Sequence, residues 1–196
     1  GMELFYPYGS WHWLSEYLEG KIPSLDPYQA AYSVEEASLP YGKEISRCIE
    51  NHDRNRIASY SKDECFTRSL LAYSFFNRGP AFVYNGEERK DPHHPDIFEK
   101  ETIAQDILDK DYYAFYQKLV SLKHREKNKT LRYTEMISTK DNVLLLKNTF
   151  EGDKVEYGVF NLSKKTIPYT LPRKGKDLLS GKNVEKEVTL TSPLWI

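Results

Sequence analysis

Apolar residues between about position 10 and position 125 recur mostly at the spacing of amphipathic helices. This periodicity predicts helices over about 10–19, around Tyr28 to Val34, from Ser61 to the stop at Gly79 and Pro80, and from about 111 to Lys123 or Arg125. Ser10 is expected to cap the first helix, and Ser61-Lys62-Asp63 supplies helix-start residues for the third. The amino-terminal part is therefore predicted to be largely helical.

Two short apolar segments between these helices have the character of strands. Glu44 to Ile49 leads into a polar cluster, and Ala81–Tyr84 is an unbroken apolar run, typical of a parallel strand that is buried on both faces. The order of strand, helix and strand is that of a βαβ unit. Polar residues that follow the two strands are expected at one edge of the sheet, where parallel α/β proteins place their sites.

The pattern changes to a period of two beyond a polar linker over 125–129. Val155, Tyr157 and Val159 alternate with more polar positions, and Val188 and Leu190 do the same. Hairpin turns are predicted at 151–153 and 180–183, because each contains glycine among polar residues. The sequence therefore predicts a separate antiparallel β domain that begins near residue 130.

Composition is that of a soluble globular chain and gives no sign of a nucleic-acid or membrane partner. The 196 residues are 39% hydrophobic, and 28 basic residues nearly balance 29 acidic ones. No apolar run approaches the roughly 18 residues of a membrane span. Cys48 and Cys65 lack metal-ligand spacing, and neighbouring His93 and His94 have no helical or cysteine partners, so no metal site is predicted.

The polar cluster Ile49–Arg56 is the strongest candidate for chemistry in the chain. It places an amide, an imidazole, a carboxylate and a guanidinium directly after a predicted strand. These groups suit either a ligand rich in hydroxyl groups or a solvated, salt-bridged turn, and the turn is the more common outcome. Aromatic residues near the amino terminus have the same two interpretations, sugar stacking or core packing, and core packing is again the more common: Tyr6, Tyr8, Trp11 and Trp13.

Four segments, taken in order, resemble the α-amylase family. They are Ile49–Arg56, with the pattern Ile-Glu-Asn-His-Asp-x-x-Arg; Gly79–Glu88; the Tyr- and Leu-rich helix Tyr113–Arg125; and Asp177–Gly181. An Asn-His-Asp triplet alone has little specificity, but four collinear segments are much harder to obtain by chance. Phe5 and Tyr6, with the helix after them, are similar to the family's sixth barrel strand and the helix that follows it.

This resemblance implies an α/β part followed by an all-β part. The expected fold is a partial (β/α)8 (TIM) barrel, with about strands six to eight in residues 1–128, and a carboxyl-terminal antiparallel β-sandwich domain in residues 129–196. A whole barrel needs about 250 residues, so most of it is absent from this sequence. Self-association, or association with a missing N-terminal half, is expected because an incomplete barrel leaves unpaired strand edges.

The resemblance also implies roles for individual residues. Asp53 corresponds to the carboxylate that stabilises the transition state, and His52 to a second ligand of the sugar hydroxyls. Arg56 is assigned to the substrate-binding set; it is expected either to keep a nearby carboxylate charged or to brace the loop. Glu88 is expected to orient a neighbour, and Asn85 stands where many relatives carry an aromatic residue.

Two classes of function remain open at this point. The first is the C-terminal part of a retaining glycoside hydrolase for α-glucans or maltooligosaccharides, inactive alone because no nucleophile or acid/base residue can be assigned. The second is a non-catalytic glycan-binding or assembly protein, with Trp11, Trp13 and Trp195 as candidate contacts. No cofactor is expected on this chain, and calcium binding stays open for a full-length parent. The localisation is not assigned.

Overall fold

The computed structural model describes residues 3–40, 42–103, 106 and 109–196, and has a mixed fold of helices and several antiparallel sheets. Its helices pack beside a β region that occupies the last third of the chain. In chain order the amino-terminal elements are β1 (Leu4–Phe5), α1 (Tyr8–Leu18), α2 (Asp26–Ser38), β2 (Glu44–Ile45), α3 (Ile57–Tyr60), α4 (Glu64–Phe76) and α5 (Lys110–Lys123).

The helices confirm the periodicity of the sequence, with one correction at a cap. Among the predicted helix-start residues 61–63, Asp63 is the one that caps α4, because its carboxylate accepts a hydrogen bond of 2.7 Å from the backbone of Phe66. Ser10 was predicted to cap α1, but the helix already begins at Tyr8. Its hydroxyl instead donates to the Glu35 carboxylate of α2, and the same carboxylate accepts the Ser10 backbone N–H. A tertiary contact thus replaces the local cap.

The predicted strands form parallel pairs, but their hydrogen-bonded parts are short. β1 pairs with β2 in parallel, and Arg47 makes an isolated parallel bridge to Ala81. The ladder between β1 and β2 ends early because the chain leaves β1 after Phe5 and enters α1. The parallel order nevertheless places the residues after β1, β2 and Ala81 at one edge, as the sequence predicts.

The β region is built around one four-stranded antiparallel sheet in the order β10-β5-β4-β3. The remaining strands form two-stranded antiparallel pairs, β6 with β9 and β7 with β8. The bounds are β3 (Leu131–Ser138), β4 (Val143–Phe150), β5 (Val155–Asn161), β6 (Ile167–Thr170), β7 (Gly175–Lys176), β8 (Asn183–Val184), β9 (Glu187–Leu190) and β10 (Leu194–Trp195). Both predicted turns are observed, with Gly152 and Gly181 at positive φ.

Both faces of the four-stranded sheet are covered. One face packs on α4 and the neighbouring helices, and there Phe76 contacts Phe160 and Trp195 at centroid distances of 5.6 and 4.9 Å. The other face packs against the pair of β6 and β9. A side chain at Gly158 would meet the Phe76 ring at 2.9 Å, so glycine permits the close approach of α4. The main core therefore includes residues from both sides of position 129.

The buried position of Glu156 corrects the simple alternation expected for β5. The sequence predicts a polar, outward position there, but the carboxylate lies against the helical part. It accepts two hydrogen bonds from Arg125, at 2.8 and 3.0 Å, one from Lys127 at 2.9 Å and one from the Trp195 indole at 2.7 Å. These donors satisfy the buried charge and lower its pKa despite its burial.

Replacement of Glu156 by Gln is expected to destabilise the fold by about 3 kcal/mol, because it removes the charge that pairs two cations in a mostly buried site. Urea unfolding at neutral pH measures the change. The matched control is Glu135→Gln, which removes the exposed pair with Lys147 in the same sheet and should cost less than about 1 kcal/mol. Equal losses in the two variants would contradict the role given to Glu156.

Candidate functional site

The Asn51–Arg54 turn follows the buried segment Ile45–Glu50 and presents two of the predicted residues to solvent. Asn51 shapes this turn: its side-chain oxygen accepts the Asp53 N–H at 2.9 Å, and its carbonyl accepts the Arg54 N–H at 3.3 Å. This is an Asx-type turn, which asparagine favours. The side chains of His52 and Asp53 are 59% and 62% exposed, so both can reach a ligand.

His52 and Asp53 lie side by side at this edge. The imidazole Nε2 is 3.4 Å from a carboxylate oxygen of Asp53. The ring of His94 approaches from the loop over 91–101, where its Nε2 donates to the His52 carbonyl at 3.0 Å. The arrangement therefore offers an acceptor carboxylate and an imidazole next to each other, which suits hydrogen bonding to neighbouring hydroxyl groups.

Arg56 lies beneath the turn and is fully buried. Its guanidinium donates to the Glu50 carboxylate at 2.8 Å, to the His93 carbonyl at 2.8 Å and to the Asn85 carbonyl at 2.9 Å. The central carbon of the guanidinium, Cζ, also lies 4.3 Å from the centre of the Tyr84 ring. These contacts join three parts of the chain: Glu50 in the segment after β2, the segment after Ala81, and the loop over 91–101.

The contacts of Arg56 correct its place in the predicted site. The expected ion pair exists, and its partner is Glu50. Substrate contact by Arg56 does not fit this geometry, because the guanidinium is closed off from solvent and its donors are directed at protein oxygens. We therefore treat Arg56 as a positioning residue for the turn that carries His52 and Asp53.

Two buried carboxyl groups to which the motifs assign no role adjoin Arg56. Glu50 accepts the Ile57 N–H at 2.6 Å, which fixes the start of α3, and burial raises its pKa in spite of Arg56. Glu87 accepts the Tyr84 N–H at 3.1 Å, and within the described part of the chain its other oxygen is buried with no hydrogen-bond partner. Burial, with the Glu50 charge next, raises the pKa of Glu87 well above its usual range.

Glu88 and Gly86 shape the segment after Tyr84. Gly86 has a φ of 100°, and a side chain there would meet the Arg56 guanidinium at 3.2 Å. The Glu88 carboxylate accepts the Gly86 N–H at 3.0 Å and lies 3.2 Å from Arg89. Glu88 thus braces its own loop, in keeping with the orienting role expected for it.

The amino-terminal aromatic residues divide into buried and exposed groups. Trp11 is buried, and the Arg54 guanidinium stacks over its ring at 4.5 Å, so the helix α1 also supports the turn. Tyr6, Tyr8 and Trp13 remain exposed, and Tyr8 is 70% exposed. The suggestion that Trp195 contacts a glycan is wrong, because it is 1% exposed and its indole N–H is bound to Glu156.

Neither cysteine has the character of a reactive or ligating group. Both are free, and burial raises the pKa of Cys48 to about 11. His93 donates to Glu101 at 2.8 Å rather than joining a cluster. Among the residues that the structure describes, no group of three or more His, Cys, Asp or Glu side chains is arranged to hold a metal ion. No helix in the same residues is both long and apolar enough to cross a membrane.

Comparisons with known proteins support the resemblance at the level of fold. No family model matches the chain. It is 27% identical over 86 residues to α-amylase 2 of Schwanniomyces occidentalis, a match that covers 44% of this chain and 16% of that protein.

Among solved structures, an α-amylase from Lactobacillus plantarum aligns with 100% of this chain and 47% of its own, at a TM-score of 0.81 and 20% identity. A noncanonic maltogenic α-amylase from Thermotoga neapolitana aligns with 98% of this chain and 50% of its own, at a TM-score of 0.82 and 19% identity. The chain thus has an α-amylase-like fold and spans about half the length of these solved structures. The resemblance indicated by the motifs is confirmed.

Replacement of Arg56 by Met is expected to destabilise the fold by about 3–5 kcal/mol, because Glu50 would keep a buried carboxylate without its counter-ion. Chemical unfolding near neutral pH measures the loss. Arg68→Met removes an exposed pair with Glu64 on α4 and should cost less than about 1 kcal/mol. A loss from Arg56→Met as small as that from Arg68→Met would show that the guanidinium does not hold these segments together.

The free energy of unfolding is expected to fall as the pH rises, because the buried Glu87 carboxyl group titrates. Because its pKa is higher in the folded state than in the unfolded chain, the folded state holds the proton more tightly. That stabilisation is complete below the unfolded pKa of about 4.3 and is lost as the pH rises toward the folded pKa, by up to about 1.4 kcal/mol per pH unit.

Glu87→Gln keeps the shape of the neutral acid and removes this titration. Its unfolding free energy should therefore rise relative to the wild type as the pH increases above about 4.3. Glu88→Gln, at the adjacent and partly exposed carboxylate, is the control; its curve should depart only slightly from that of the wild type, because the Glu88 charge is a minor cause of the raised Glu87 pKa. Parallel curves for the wild type and Glu87→Gln would rule out a buried neutral Glu87.

Proposed function

We propose that this chain is the carboxyl-terminal part of an α-amylase-family glycoside hydrolase that acts on α-glucans by a retaining mechanism. The observation that carries the proposal is the Asn51–Arg54 turn, which exposes Asp53 and His52 above the buried Glu50–Arg56 pair. The α-amylase-like fold and the match to α-amylase 2 support the same conclusion.

In this proposal the parallel segments are strands six to eight of a (β/α)8 barrel. β1 would be the sixth, the segment from β2 to Glu50 the seventh, and the segment that begins at Ala81 the eighth. Their parallel pairing supports this order. The four-stranded sheet and the pair of β6 and β9, packed face to face, would form the terminal β-sandwich. The two proposed parts are residues 1–128 and 129–196.

Asp53 is proposed to stabilise the transition state. Its exposed carboxylate would accept hydrogen bonds from the hydroxyls of the sugar being cleaved, and His52 would bind a neighbouring hydroxyl. Contacts that strengthen as the sugar distorts toward an oxocarbenium shape supply several kcal/mol in glycosidases. Arg56 and Glu50 would act indirectly, because they fix the turn that directs Asp53 toward the ligand.

The chain alone is proposed to be inactive. A retaining mechanism requires a nucleophile and an acid/base carboxyl about 5–5.5 Å apart, and the resemblance assigns neither to a residue of this sequence. Both would come from an amino-terminal barrel portion, supplied by a longer chain or by a partner. The strand edges of β1 and of the segment at Ala81 are the surfaces where that portion, or a second copy of this chain, would pair.

Glycan binding without catalysis is the second candidate, and the exposed aromatic residues favour it. Tyr6 and Tyr8 follow β1 at the same edge as Asp53, with ring centroids 6.2 Å apart. Exposed aromatic faces of this kind suit stacking on sugar rings. Binding of maltooligosaccharides that persists in the chain alone, with no activity after a barrel portion is supplied, would favour this function.

A chimera tests the catalytic proposal directly. In it, this chain replaces the structurally aligned part of the α-amylase from Lactobacillus plantarum, whose amino-terminal portion then completes the barrel. We expect the chimera to release reducing sugar from starch and the chain alone to release none. Asp53→Asn should lower kcat by about 100-fold, because it removes a charge that acts in the transition state.

Glu88→Gln is the matched control, since the Glu88 carboxylate accepts the Gly86 N–H and so braces its own loop. After correction for the folded fraction, its turnover should stay close to that of the unmodified chimera. Near-normal turnover in the Asp53→Asn chimera would remove the site assignment. Hydrolysis by the chain alone, abolished by Asp53→Asn, would show instead that it carries its own nucleophile and acid.

A further inference from the structure

A pocket of about 340 Å³ lies where α4 and α5 both end, next to the sheet of the β region. Its lining includes Asn77 after α4, Lys123 at the end of α5, Trp195 of β10 and Glu44 at the start of β2. Asp53 follows the opposite, carboxyl end of the β2 segment. The pocket is therefore separate from the proposed sugar site, and the inference drawn from it does not rest on the proposed function.

Lys123 contributes to this pocket an amine that is bound to a backbone carbonyl rather than to a carboxylate. Its Nζ donates to the Asn77 carbonyl. Within the described ranges, no carboxylate oxygen lies within 4.0 Å of it, whereas Lys21, Lys90, Lys127, Lys129 and Lys147 each have such a partner. An amine that makes one donated bond and lines an open pocket has a free direction of approach for a ligand.

Burial lowers the pKa of Lys123 to about 8, although the charge of Glu44 acts in the opposite direction. An ordinary lysine has a pKa of about 10.4, so the neutral, nucleophilic fraction of Lys123 near neutral pH is larger by about two orders of magnitude. By contrast, the pKa of Lys147 is raised by its own carboxylate partner, Glu135. The two amines should therefore differ strongly in reactivity.

The rim of the pocket is cationic, and Glu44 is the one acidic side chain among the described residues that line it. Arg125 is neutralised by Glu156, and Lys129 by Glu126. Arg78 donates to the Lys43 carbonyl and, in the part of the chain that is described, has no carboxylate partner. The remaining titratable group in the lining is His124, at the end of α5. Arg78 and Lys123 together outweigh Glu44, so the pocket favours ligands with a negative charge.

We propose that Lys123 is a site of covalent, reversible modification by small aldehydes that carry an anionic group. The neutral amine adds to the carbonyl carbon, and a C–N bond forms. The carbonyl oxygen then leaves as water with the two amine protons, which gives an imine with no change in oxidation state. When protonated, this imine has one N–H that can keep the bond to the Asn77 carbonyl, and Arg78 provides a counter-ion for the anionic group.

Pyridoxal phosphate, an aldehyde with an anionic group, is the probe for this site. The intact folded chain is incubated with it near neutral pH, the imine is reduced with borohydride, and labelled peptides are quantified by mass spectrometry. Lys123 should be labelled at least about tenfold faster than Lys147, with a rate that rises through a midpoint near pH 8. Pyridoxal lacks the phosphate and, being mostly a cyclic hemiacetal, labels all amines more slowly, so the ratio of the Lys123 rate to the Lys147 rate is compared. That ratio should be lower with pyridoxal than with pyridoxal phosphate, and Arg78→Gln should remove the difference between the two ratios.

Lys123→Arg keeps a donor for Asn77 and should abolish the fast label, whereas the matched Lys147→Arg should leave it unchanged. In chain unfolded with urea, Lys123 and Lys147 should react at the same rate, because the advantage of Lys123 depends on the pocket. The proposal is overturned if Lys123 in the folded chain is labelled no faster than Lys147. It is also overturned if pyridoxal and pyridoxal phosphate give the same ratio of Lys123 to Lys147 labelling, because the anionic selectivity would then be absent.

Discussion

The buried ion pair between Arg56 and Glu50 is the interaction on which the candidate site depends. Removing both charges from water is costly, so the pair persists only because further hydrogen bonds complete it. The Ile57 N–H binds the carboxylate, and the carbonyls of His93 and Asn85 accept from the guanidinium. One side chain thus orders three segments at the edge where the parallel strands end.

This arrangement explains why the side chains of the two residues proposed to bind a ligand are exposed. Asn51 accepts the Asp53 and Arg54 N–H groups of the turn, and the side chains of His52 and Asp53 are left exposed to solvent. Close to this pair lies Glu87, one oxygen of which is buried near Glu50 and has no hydrogen-bond partner among the described residues. Rigid support below and exposed polar groups above are what a sugar-binding carboxylate requires.

The helical part and the β region are joined by a core that neither could complete alone. α4 contributes Phe76 to this core, and the sheet contributes Phe160 and Trp195. Arg125, which follows α5, also pairs with the Glu156 carboxylate of the sheet. Each set of side chains would face water if the other were removed. In the proposed hydrolase, the β region would therefore stabilise the helices that stand behind the sugar site, and this gives it a structural part in function.

The sequence by itself determined the features that depend on local chemistry. The Asp63 cap, the glycine turns at Gly152 and Gly181, and the Asn-His-Asp turn all arise from interactions among residues close together in the chain. The helical periodicity and the α-amylase-like motifs could be identified from the sequence because each is also a pattern of residues close together in the chain.

Only the tertiary structure decided which polar groups are buried and what pairs with them. In the fold, Arg56 is buried and pairs with Glu50 instead of reaching toward a ligand. Glu156 points inward and accepts the Trp195 indole N–H, and Lys123 lines a pocket. Each outcome depends on partners far away in sequence. Desolvation and charge pairing act through space, and neither the residue type nor its neighbours in the chain reveal them.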